Sequence, residues 1–515
     1  MTDFLGGLVN LITDPLAVIL FIAALIAGLV FAAMPGINMV TLGAIILPFT
    51  AYLSATHAIM IYGVIYVAGT YGGAVMAILF NIPGSAENAP TAFDGYPLTQ
   101  QGKSGKAIGA AILSSALGGT LSAIVMMLAA PTIARWAVHA FGPPEMFSLI
   151  FFGLAVAASV GAATIWKGWL SVFLGLLVAT VGTDPAGGLP RFAFGTYYLL
   201  AGIHFIPLIL GFFAISEVFV QGEKMVTEVY KAPKVGLEFP TLREMLRLKM
   251  VVLRSWVLGF FAGVLPGIGA TLAAFLSYNE AVRWSKHPER FGKGELEGVV
   301  ASETANNAAT GGAMIPLLAL GLPGGAVTAM MVSVFMIHGM EPGPLIMIRS
   351  KELVWVVFVA MLLANLCIFF LGYIETKTIV NLLRIPFRIL APAIMILATI
   401  GVYALRNLLV DVWVMFVAGI GGYFLRRSGY SIPGIILGVI LGKLGESALV
   451  KSMQIMHYEW LGFFGRPVSA VLLIAGLGTI VFNILRPAKH MASSPSGVTA
   501  PPEPLPSTTI EEPQP

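Results

Sequence analysis

Residues 251–278 read VVLRSWVLGFFAGVLPGIGATLAAFLSY, which is two apolar runs joined by a Pro-Gly pair. Each run, Val251–Leu265 and Thr271–Tyr278, is shorter than the roughly 20 residues that a helix needs to cross a membrane. Basic residues lie toward both outer ends, namely Lys249, Arg254, Arg283, Lys286, Arg290 and Lys293. Because loops rich in Lys and Arg face the cytoplasm, both ends are expected on one side. The stretch is therefore predicted to be a re-entrant hairpin with its tip at Pro266–Gly269.

The composition of the whole chain indicates the class of protein. Of 515 residues, 57% are hydrophobic and 10% are charged, whereas a soluble domain has about 25% charged residues. Apolar runs recur along the chain. In lipid, only helices and closed barrels provide hydrogen bonds for every backbone N–H and C=O group. Barrel strands are short and alternate polar with apolar residues, so we predict an all-α polytopic membrane protein with about 10–12 transmembrane helices. The net charge of +4 fits positive-inside loops in contact with membrane lipid, and no nucleic-acid partner is expected.

The same signatures occur in the same order in each half of the chain. The first half contains Pro35-Gly36-Ile37-Asn38, Gly72-Gly73 and Pro83-Gly84-Ser85-Ala86, and the second contains Pro266-Gly267-Ile268-Gly269, Gly311-Gly312 and Pro323-Gly324-Gly325-Ala326. Two ordered Pro-Gly pairs flanked by matching apolar runs indicate a duplication. The first pair has no Lys or Arg on either side, which favours insertion from the opposite face. We therefore predict two inverted repeats, each with a Pro-Gly re-entrant hairpin and a broken helix.

Polar segments divide the chain into four parts. Residues 1–220 are predicted to form the first membrane repeat and residues 251–486 the second. Residues 221–250 contain six Lys or Arg residues and are predicted to be a cytoplasmic linker. Residues 487–515 are rich in Pro, Ser, Thr and Glu, so we predict a disordered tail.

The Pro-Gly breaks predict the substrate site. A break at mid-membrane leaves unpaired N–H and C=O groups, which are tolerated only inside protein or beside a wet cavity. Helix starts attract carboxylates, and free carbonyl groups suit Na⁺. The predicted substrate-binding residues are Pro35, Gly36, Asn38, Pro83, Gly84, Ser85, Pro266, Gly267, Gly269, Asn306, Asn307, Pro323 and Gly324. The alternative is that each Pro-Gly pair only makes a turn or a close helix contact.

Polar residues near the breaks are candidates for ion coupling, because polar groups inside a membrane are costly and usually functional. The predicted ion-coupling residues are Asn81, Glu87, Glu303 and Thr310. Glu303 could instead lie at the cytoplasmic end of a helix that begins near Glu295. Asp94, in Phe93-Asp94-Gly95-Tyr96, could lie near the break or in an exposed turn. The sequence contains no His-Glu-x-x-His motif and no nucleophile–base pair, so we expect neither an enzyme nor a bound metal or cofactor.

Two long stretches resemble the large membrane subunit of the tripartite tricarboxylate transporter family. The first is Tyr71–Gly84 followed by Phe93–Gly102, and the second is Leu265–Gly269 followed by Glu303–Ala313 and Gly321–Gly324. The similarity extends over nearly the whole chain to about Arg486. Two short runs depart from the family pattern, Ser85–Asn88 and Ser302–Thr304, and these leave the substrate open.

The resemblance implies a binding-protein-dependent importer in the bacterial inner membrane. Its implied partners are a small four-helix membrane subunit, a periplasmic solute-binding protein and a tricarboxylate or dicarboxylate such as citrate. The implied driving force is symport with Na⁺ or H⁺, and the chain has no phosphate loop for ATP. The alternatives are a stand-alone ion-coupled carrier of organic anions and a channel, for which we find no continuous polar pore-lining pattern.

Overall fold

The computed structural model describes residues 2–34, 37–158, 164–185, 187–224, 239–265, 269–382 and 387–485. Within these ranges the chain is almost entirely helical. The helices up to the linker are α1 (Thr2–Thr13), α2 (Pro15–Ala32), α3 (Met39–Ile46), α4 (Ala55–Phe80), α5 (Ala89–Gln100), α6 (Ser104–Ala140), α7 (Pro143–Ala158), α8 (Ile165–Ala179), α9 (Phe205–Ile209) and α10 (Ser216–Lys224). Two short antiparallel strands, β1 (Gly182–Thr183) and β2 (Pro190–Arg191), lie between α8 and α9.

The helices after the linker are α11 (Leu242–Arg247), α12 (Lys249–Val264), α13 (Gly269–Trp284), α14 (Leu296–Ile315), α15 (Ala326–Ile337), α16 (Ile346–Arg349), α17 (Lys351–Leu382), α18 (Phe387–Arg406), α19 (Leu409–Arg427), α20 (Ile432–Ile455) and α21 (Pro467–Leu485). Single 3₁₀ turns occur at Leu47–Tyr52, Ala86–Asn88, Tyr197–Leu199, Pro288–Arg290 and Trp460–Phe463, and π-helical turns at Leu210–Ile215 and Pro316–Leu320. Nine helical segments in the described ranges are long and apolar enough to cross a membrane. The predicted all-α polytopic membrane fold is confirmed.

The first hairpin, formed by α2 and α3, starts and ends at the same end of the bundle. Asp14 caps α2 by accepting a hydrogen bond from the Leu16 N–H at 2.9 Å, and its other carboxylate oxygen lies 2.8 Å from Nε2 of His57 in α4. Further along, Gly28 packs on Ala68 and Gly72 on Leu29, so α2 and α4 run in parallel. Helix α3 returns antiparallel to α4, since Tyr62 of α4 donates a hydrogen bond to the Gly43 carbonyl. This geometry is that of a re-entrant hairpin.

The second hairpin, formed by α12 and α13, packs on α14 in the same way. Gly259 and Gly263 of α12 lie against Ala305 and Ala309 of α14, so these helices run in parallel. Helix α13 returns antiparallel, and Ser277 donates a hydrogen bond of 2.9 Å to the Ala301 carbonyl. A Cβ on Gly259 or Gly263 would meet backbone atoms of Ala305 or Ala309, so glycine permits this close approach of α12 and α14.

The two hairpins start from opposite ends of the bundle. The first hairpin begins and ends beside His338, whose Nε2 lies 3.0 Å from the Leu53 carbonyl. The second begins beside α11, where Glu244 pairs with Lys106 at the start of α6. We call these the distal end and the linker end. The inverted relation of the two repeats stays a prediction.

Both helices that follow a hairpin are broken where the sequence predicts. Helix α4 ends at Asn81, whose φ of 56° is left-handed, two residues before Pro83. Helix α14 passes into a π-helical turn and ends at Gly321, whose φ is 78°, two residues before Pro323. Proline cannot donate to the preceding turn and disfavours helical backbone in the residue before it. The breaks are therefore dictated locally.

Candidate functional site

A cavity of about 450 Å³ lies between α3, α13 and the α19–α20 connection. We call α3 and α13 the inner arms of the two hairpins. Its polar lining residues are Asn38, Tyr66, Ser85, Glu87, Thr271, Arg426, Tyr430 and Ser431. We call it the central cavity. Apolar lining residues come mainly from α13, α15 and α20, so the polar groups are few and fixed in position.

Four helices of eight or more residues begin at this cavity. They are α3 after Asn38, α13 at Gly269, α15 after Gly325 and α20 after Ser431. The first N–H groups of a helix have no partner within the helix and form the positive end of its dipole. Because four such ends point to one cavity, the arrangement favours an anionic ligand without requiring a lysine or arginine.

The capping side chains are partly used within the protein. Oδ1 of Asn38 accepts hydrogen bonds from the N–H and hydroxyl of Thr41, at 2.9 and 3.2 Å. Oγ of Ser431 accepts one from the Gly434 N–H at 3.2 Å. Gly325 has no side chain with which to cap α15. The first turn of α15 thus offers its N–H groups to a ligand more freely than those of α3 and α20.

Two charged side chains line the central cavity within the described ranges, Glu87 and Arg426. Arg426 forms an ion pair with Glu217 of α10 and donates to the Phe212 carbonyl at 3.3 Å. Its charge is therefore balanced by a buried carboxylate. Glu87 is only 6% exposed, and its Oε1 has no hydrogen-bond partner in the part of the chain that the structure describes.

Glu303 lies behind the cavity, completely buried in the second turn of α14. Its Oε1 accepts hydrogen bonds from Thr91 at 2.5 Å, Asn306 at 3.1 Å and Asn88 at 3.4 Å. Its Oε2 accepts one from Ser115 of α6 at 3.0 Å. No cation neutralises this carboxylate within the described part of the chain, so hydrogen bonds alone satisfy it.

A chain of side chains joins Glu303 to the cavity. Ser85, on the cavity wall, donates a hydrogen bond of 2.8 Å to Oδ1 of Asn88. The Asn88 amide in turn donates to the Thr70 carbonyl at 2.8 Å and to Glu303. A ligand that displaces the Ser85 hydroxyl would therefore disturb Asn88, which donates a hydrogen bond to Glu303.

Asp94 is a structural carboxylate rather than a cavity residue. It is completely buried, and it accepts hydrogen bonds from the Tyr278 hydroxyl and from the N–H groups of Gly294 and Glu295. The exposed-turn interpretation of Asp94 is wrong, because Phe93–Tyr96 lies inside α5 and packs against the second half. The turn-like sequence was misleading because Gly95 fits a close contact with Ile78.

The structure brings four of the predicted site residues to the central cavity: Asn38, Ser85, Glu87 and Gly269. Gly84 and Gly324 lie one residue from lining residues and pack against the helices of their own halves. Asn81 and Pro83 are exposed, and Pro323 is buried. Pro35, Gly36, Pro266 and Gly267 lie outside the described residues.

The remaining predicted residues lie on α14 with Glu303. The Thr310 hydroxyl donates to the Asn307 carbonyl within the helix at 2.8 Å. Asn306 bonds Glu303 through its amide nitrogen, whereas its Oδ1 and both polar atoms of Asn307 have no partner in the described ranges. None of these side chains lines the central cavity.

Sequence analysis missed the wall contributed by the connection from α19 to α20, namely Arg426, Tyr430 and Ser431. A signal was present, since Ser431-Ile-Pro-Gly434 combines an N-cap residue with a proline in the first turn. Its relation to the second hairpin could not be seen, because Ser431 lies more than 150 residues after the hairpin tip at residues 266–269.

Three comparisons place the chain among known proteins. Residues 18–437 match the model of the tripartite tricarboxylate transporter TctA family. The uncharacterized 52.8 kDa protein in the TAR-I ttuC′ 3′ region of Agrobacterium vitis is 36% identical over 471 residues, which cover 92% of this chain and 94% of that protein. The uncharacterized protein in the TAR-II ttuC′ 3′ region is 40% identical over 227 residues, 44% of this chain and 94% of that protein. No solved structure gives a significant match.

Proposed function

We propose a specific transport function on the premise that the chain belongs to the tripartite tricarboxylate transporter TctA family. It would be the large membrane subunit of an ion-gradient-driven importer of tricarboxylates or dicarboxylates such as citrate. Its partners would be a small four-helix membrane subunit and a periplasmic solute-binding protein, in a bacterial inner membrane. The observation that carries this proposal is the central cavity, at which four helices begin.

The central cavity supports a carboxylate ligand by its size and its electrostatics. A volume of about 450 Å³ falls within the range of small-molecule sites, which is about 300–1,000 Å³. Arg426 is already paired with Glu217, so the attraction would come from the helix starts. A site made of backbone N–H groups binds several carboxylate geometries, which suits a subunit that receives its substrate from a separate binding protein.

Glu303 is the strongest candidate for ion coupling. A carboxylate that is completely buried in a membrane-spanning bundle and lacks a cationic partner is costly to keep ionised. Its four hydrogen-bond donors include two hydroxyl groups, Thr91 and Ser115, which can also accept a bond from a protonated carboxyl. Proton binding would therefore leave the network satisfied, and Na⁺ would find oxygen ligands there.

Alternating access would follow from the two hairpins. They start from opposite ends of the bundle, and the inner arm of each begins at the central cavity, at Asn38 and Gly269. Movement of one hairpin would open the cavity to one side of the membrane, as expected of inverted repeats. The cytoplasmic side would be the linker end, because it is rich in Lys and Arg.

The test is uptake of radiolabelled citrate into proteoliposomes that contain this chain, the small subunit and the binding protein. Accumulation that needs both the binding protein and an inward Na⁺ or H⁺ gradient is the expected result. Uptake by this chain alone would favour a stand-alone carrier, and non-saturable flux without accumulation would favour a channel. Absence of uptake for citrate and for dicarboxylates would contradict the proposal.

A further inference from the structure

Among the described residues, Glu87 is the one acidic or basic side chain lining the central cavity that no ion pair balances. Of the two charged lining residues, Arg426 is balanced by Glu217, whereas no cation lies near the Glu87 carboxylate in the described ranges. Three of the stretches outside those ranges, residues 35–36, 159–163 and 266–268, contain no ionisable side chain. The helix starts attract an anion, while an ionised Glu87 would repel one.

One oxygen of the Glu87 carboxylate, Oε1, has no hydrogen-bond donor among the described residues. The side chain is 6% exposed. The hydroxyls of Ser85 and Thr271 lie close to the carboxylate, and Tyr66 lines the same wall. A buried acceptor without a donor is destabilising, so a ligand that supplies the donor gains binding free energy.

The two features together define a ligand with two chemical properties. It must carry carboxylates for the helix starts, and it must place a hydrogen-bond donor where its carboxylate would otherwise meet that of Glu87. A hydroxyl or an ammonium group beside a carboxylate meets this requirement, and a methylene group does not. A site built to bond such a donor strongly rejects the analogue that lacks it.

We propose that Glu87 makes this protein selective for carboxylates that bear a hydroxyl or ammonium group next to a carboxylate. This inference rests on the proposed transport function and adds the residue and the substrate feature that decide selectivity. The recognition is shared by hydroxyl and ammonium donors, so the experiment has an arm for each.

The probes are succinate, malate and aspartate, which share a carbon skeleton and differ only in the group on the second carbon. Binding is measured by ligand-induced thermal stabilisation of the purified chain, and transport by inhibition of citrate uptake in the complete system. Wild-type protein is expected to bind malate or aspartate about ten-fold or more tightly than succinate, because a hydrogen bond to a charged group contributes on that order.

Two variants and a control assign the preference to Glu87. Glu87→Ala is expected to abolish the preference, mainly by raising the affinity for succinate, since the like charge is gone. Glu87→Gln keeps an acceptor oxygen and is expected to be intermediate, which also guards against misfolding of the alanine variant. Glu352→Gln removes an exposed carboxylate in the first turn of α17 and is expected to leave the preference unchanged.

Three results would overturn the proposal. They are equal binding of the three probes by wild-type protein, a preference that survives in Glu87→Ala, and loss of Na⁺ dependence in that variant with the preference intact. The last result would assign Glu87 to the coupling ion. If wild-type protein neither binds nor transports any probe or citrate, the proposed function itself fails, which is a different outcome from transport without preference.

Discussion

The carboxylate of Asp94 and the hydroxyl of Tyr278 form a hydrogen bond of 2.9 Å, although 184 residues separate them along the chain. The other oxygen of Asp94 accepts hydrogen bonds from the N–H groups of Gly294 at 3.0 Å and Glu295 at 2.8 Å. One side chain of α5 thereby holds both the outer end of the second hairpin and the start of α14. The halves are fixed to each other at this point.

Asp94→Ala is expected to destabilise the protein strongly. It leaves a buried hydroxyl and two backbone N–H groups without an acceptor, at a cost of about 1–3 kcal/mol for each group that water does not reach. Tyr278→Phe removes one donor and should cost only about 1 kcal/mol. Thermal unfolding in detergent measures both. The control is Tyr96→Phe, because the Tyr96 hydroxyl makes no hydrogen bond in the described ranges. Equal thermal midpoints for all three variants would contradict a structural role for Asp94.

Glu303→Gln is expected to fold and to lose ion coupling. Glutamine keeps an oxygen for Thr91 and Asn88, and its amide can donate to the Ser115 hydroxyl, so the network is preserved. It cannot take up a proton or supply a charge to Na⁺. Exchange of citrate across the membrane should continue while gradient-driven accumulation stops. Accumulation at the wild-type level would remove Glu303 from the coupling mechanism.

Glu217→Gln is expected to strengthen carboxylate binding. The substitution leaves the Arg426 charge unbalanced at the cavity wall, and we expect affinity for citrate to rise about two- to ten-fold, up to about 1.4 kcal/mol. Titration of the purified variant with citrate measures this. Glu223→Gln breaks the exposed pair with Arg427, 3.0 Å apart, and serves as the control. An unchanged affinity in Glu217→Gln would show that the anion binds away from Arg426.

Gly259→Ala is expected to destabilise the crossing of α12 and α14. A Cβ on Gly259 would lie 2.6 Å from Cα of Ala305, so the helices must separate, at a cost of about 1–3 kcal/mol. Gly421→Ala in α19 is the matched control, because no atom lies within 4 Å of its added Cβ. Its thermal midpoint should stay at or above that of wild-type protein. If both variants unfold alike, close packing at Gly259 is not required.

The contact between α11 and α6 is expected to weaken in acid. The Lys106 ammonium lowers the pKa of Glu244 to about 2, and hydrogen bonds from Thr241 make a smaller contribution in the same direction. Because this folded-state pKa lies below the ordinary value, the stabilisation is complete above about pH 4.5 and disappears as the pH falls toward about 2. Both side chains are about one-third exposed, so salt should screen the pair and the effect should be small.

Hydrogen exchange of the α11 amides measures this contact, after correction for the intrinsic effect of pH on exchange. Glu244→Gln at neutral pH should reproduce the faster exchange seen in acid. Exchange that is independent of both pH and the substitution would mean that the capping box of Thr241 and Glu244 is not needed to hold α11.

The sequence predicted those parts of the fold that depend on local chemistry. Proline and glycine at residues 83–84 and 323–324 end their helices in any tertiary context. The apolar runs of residues 251–278 are too short to cross a membrane singly, so they form a hairpin. It could not predict that Asn88, Thr91 and Ser115 would gather around Glu303. That cluster depends on the crossing of α5 and α6 with α14, which is decided by glycine contacts spread over the chain.

The same reasoning applies to the central cavity. Asn38 and Gly269 could be identified because each begins a helix after a Pro-Gly pair. Arg426 could not, because an arginine near the end of α19 has the sequence pattern of a residue at the membrane surface. Its ion pair with Glu217 of α10 and its hydrogen bond to the Phe212 carbonyl hold it at the cavity wall.

The Glu303 network also dictates an order of events during synthesis. Three of its four donors belong to the first half, and Ser115 and Asn88 precede Glu303 by 188 and 215 residues. At a synthesis rate of about 5–20 residues per second, Glu303 is made about 10–40 seconds after these donors. During that interval the first half lacks the acceptor that Glu303 supplies, and unpaired polar groups in lipid are costly. We therefore expect the polar faces of α5 and α6 to be kept away from the lipid tails until α14 has been made.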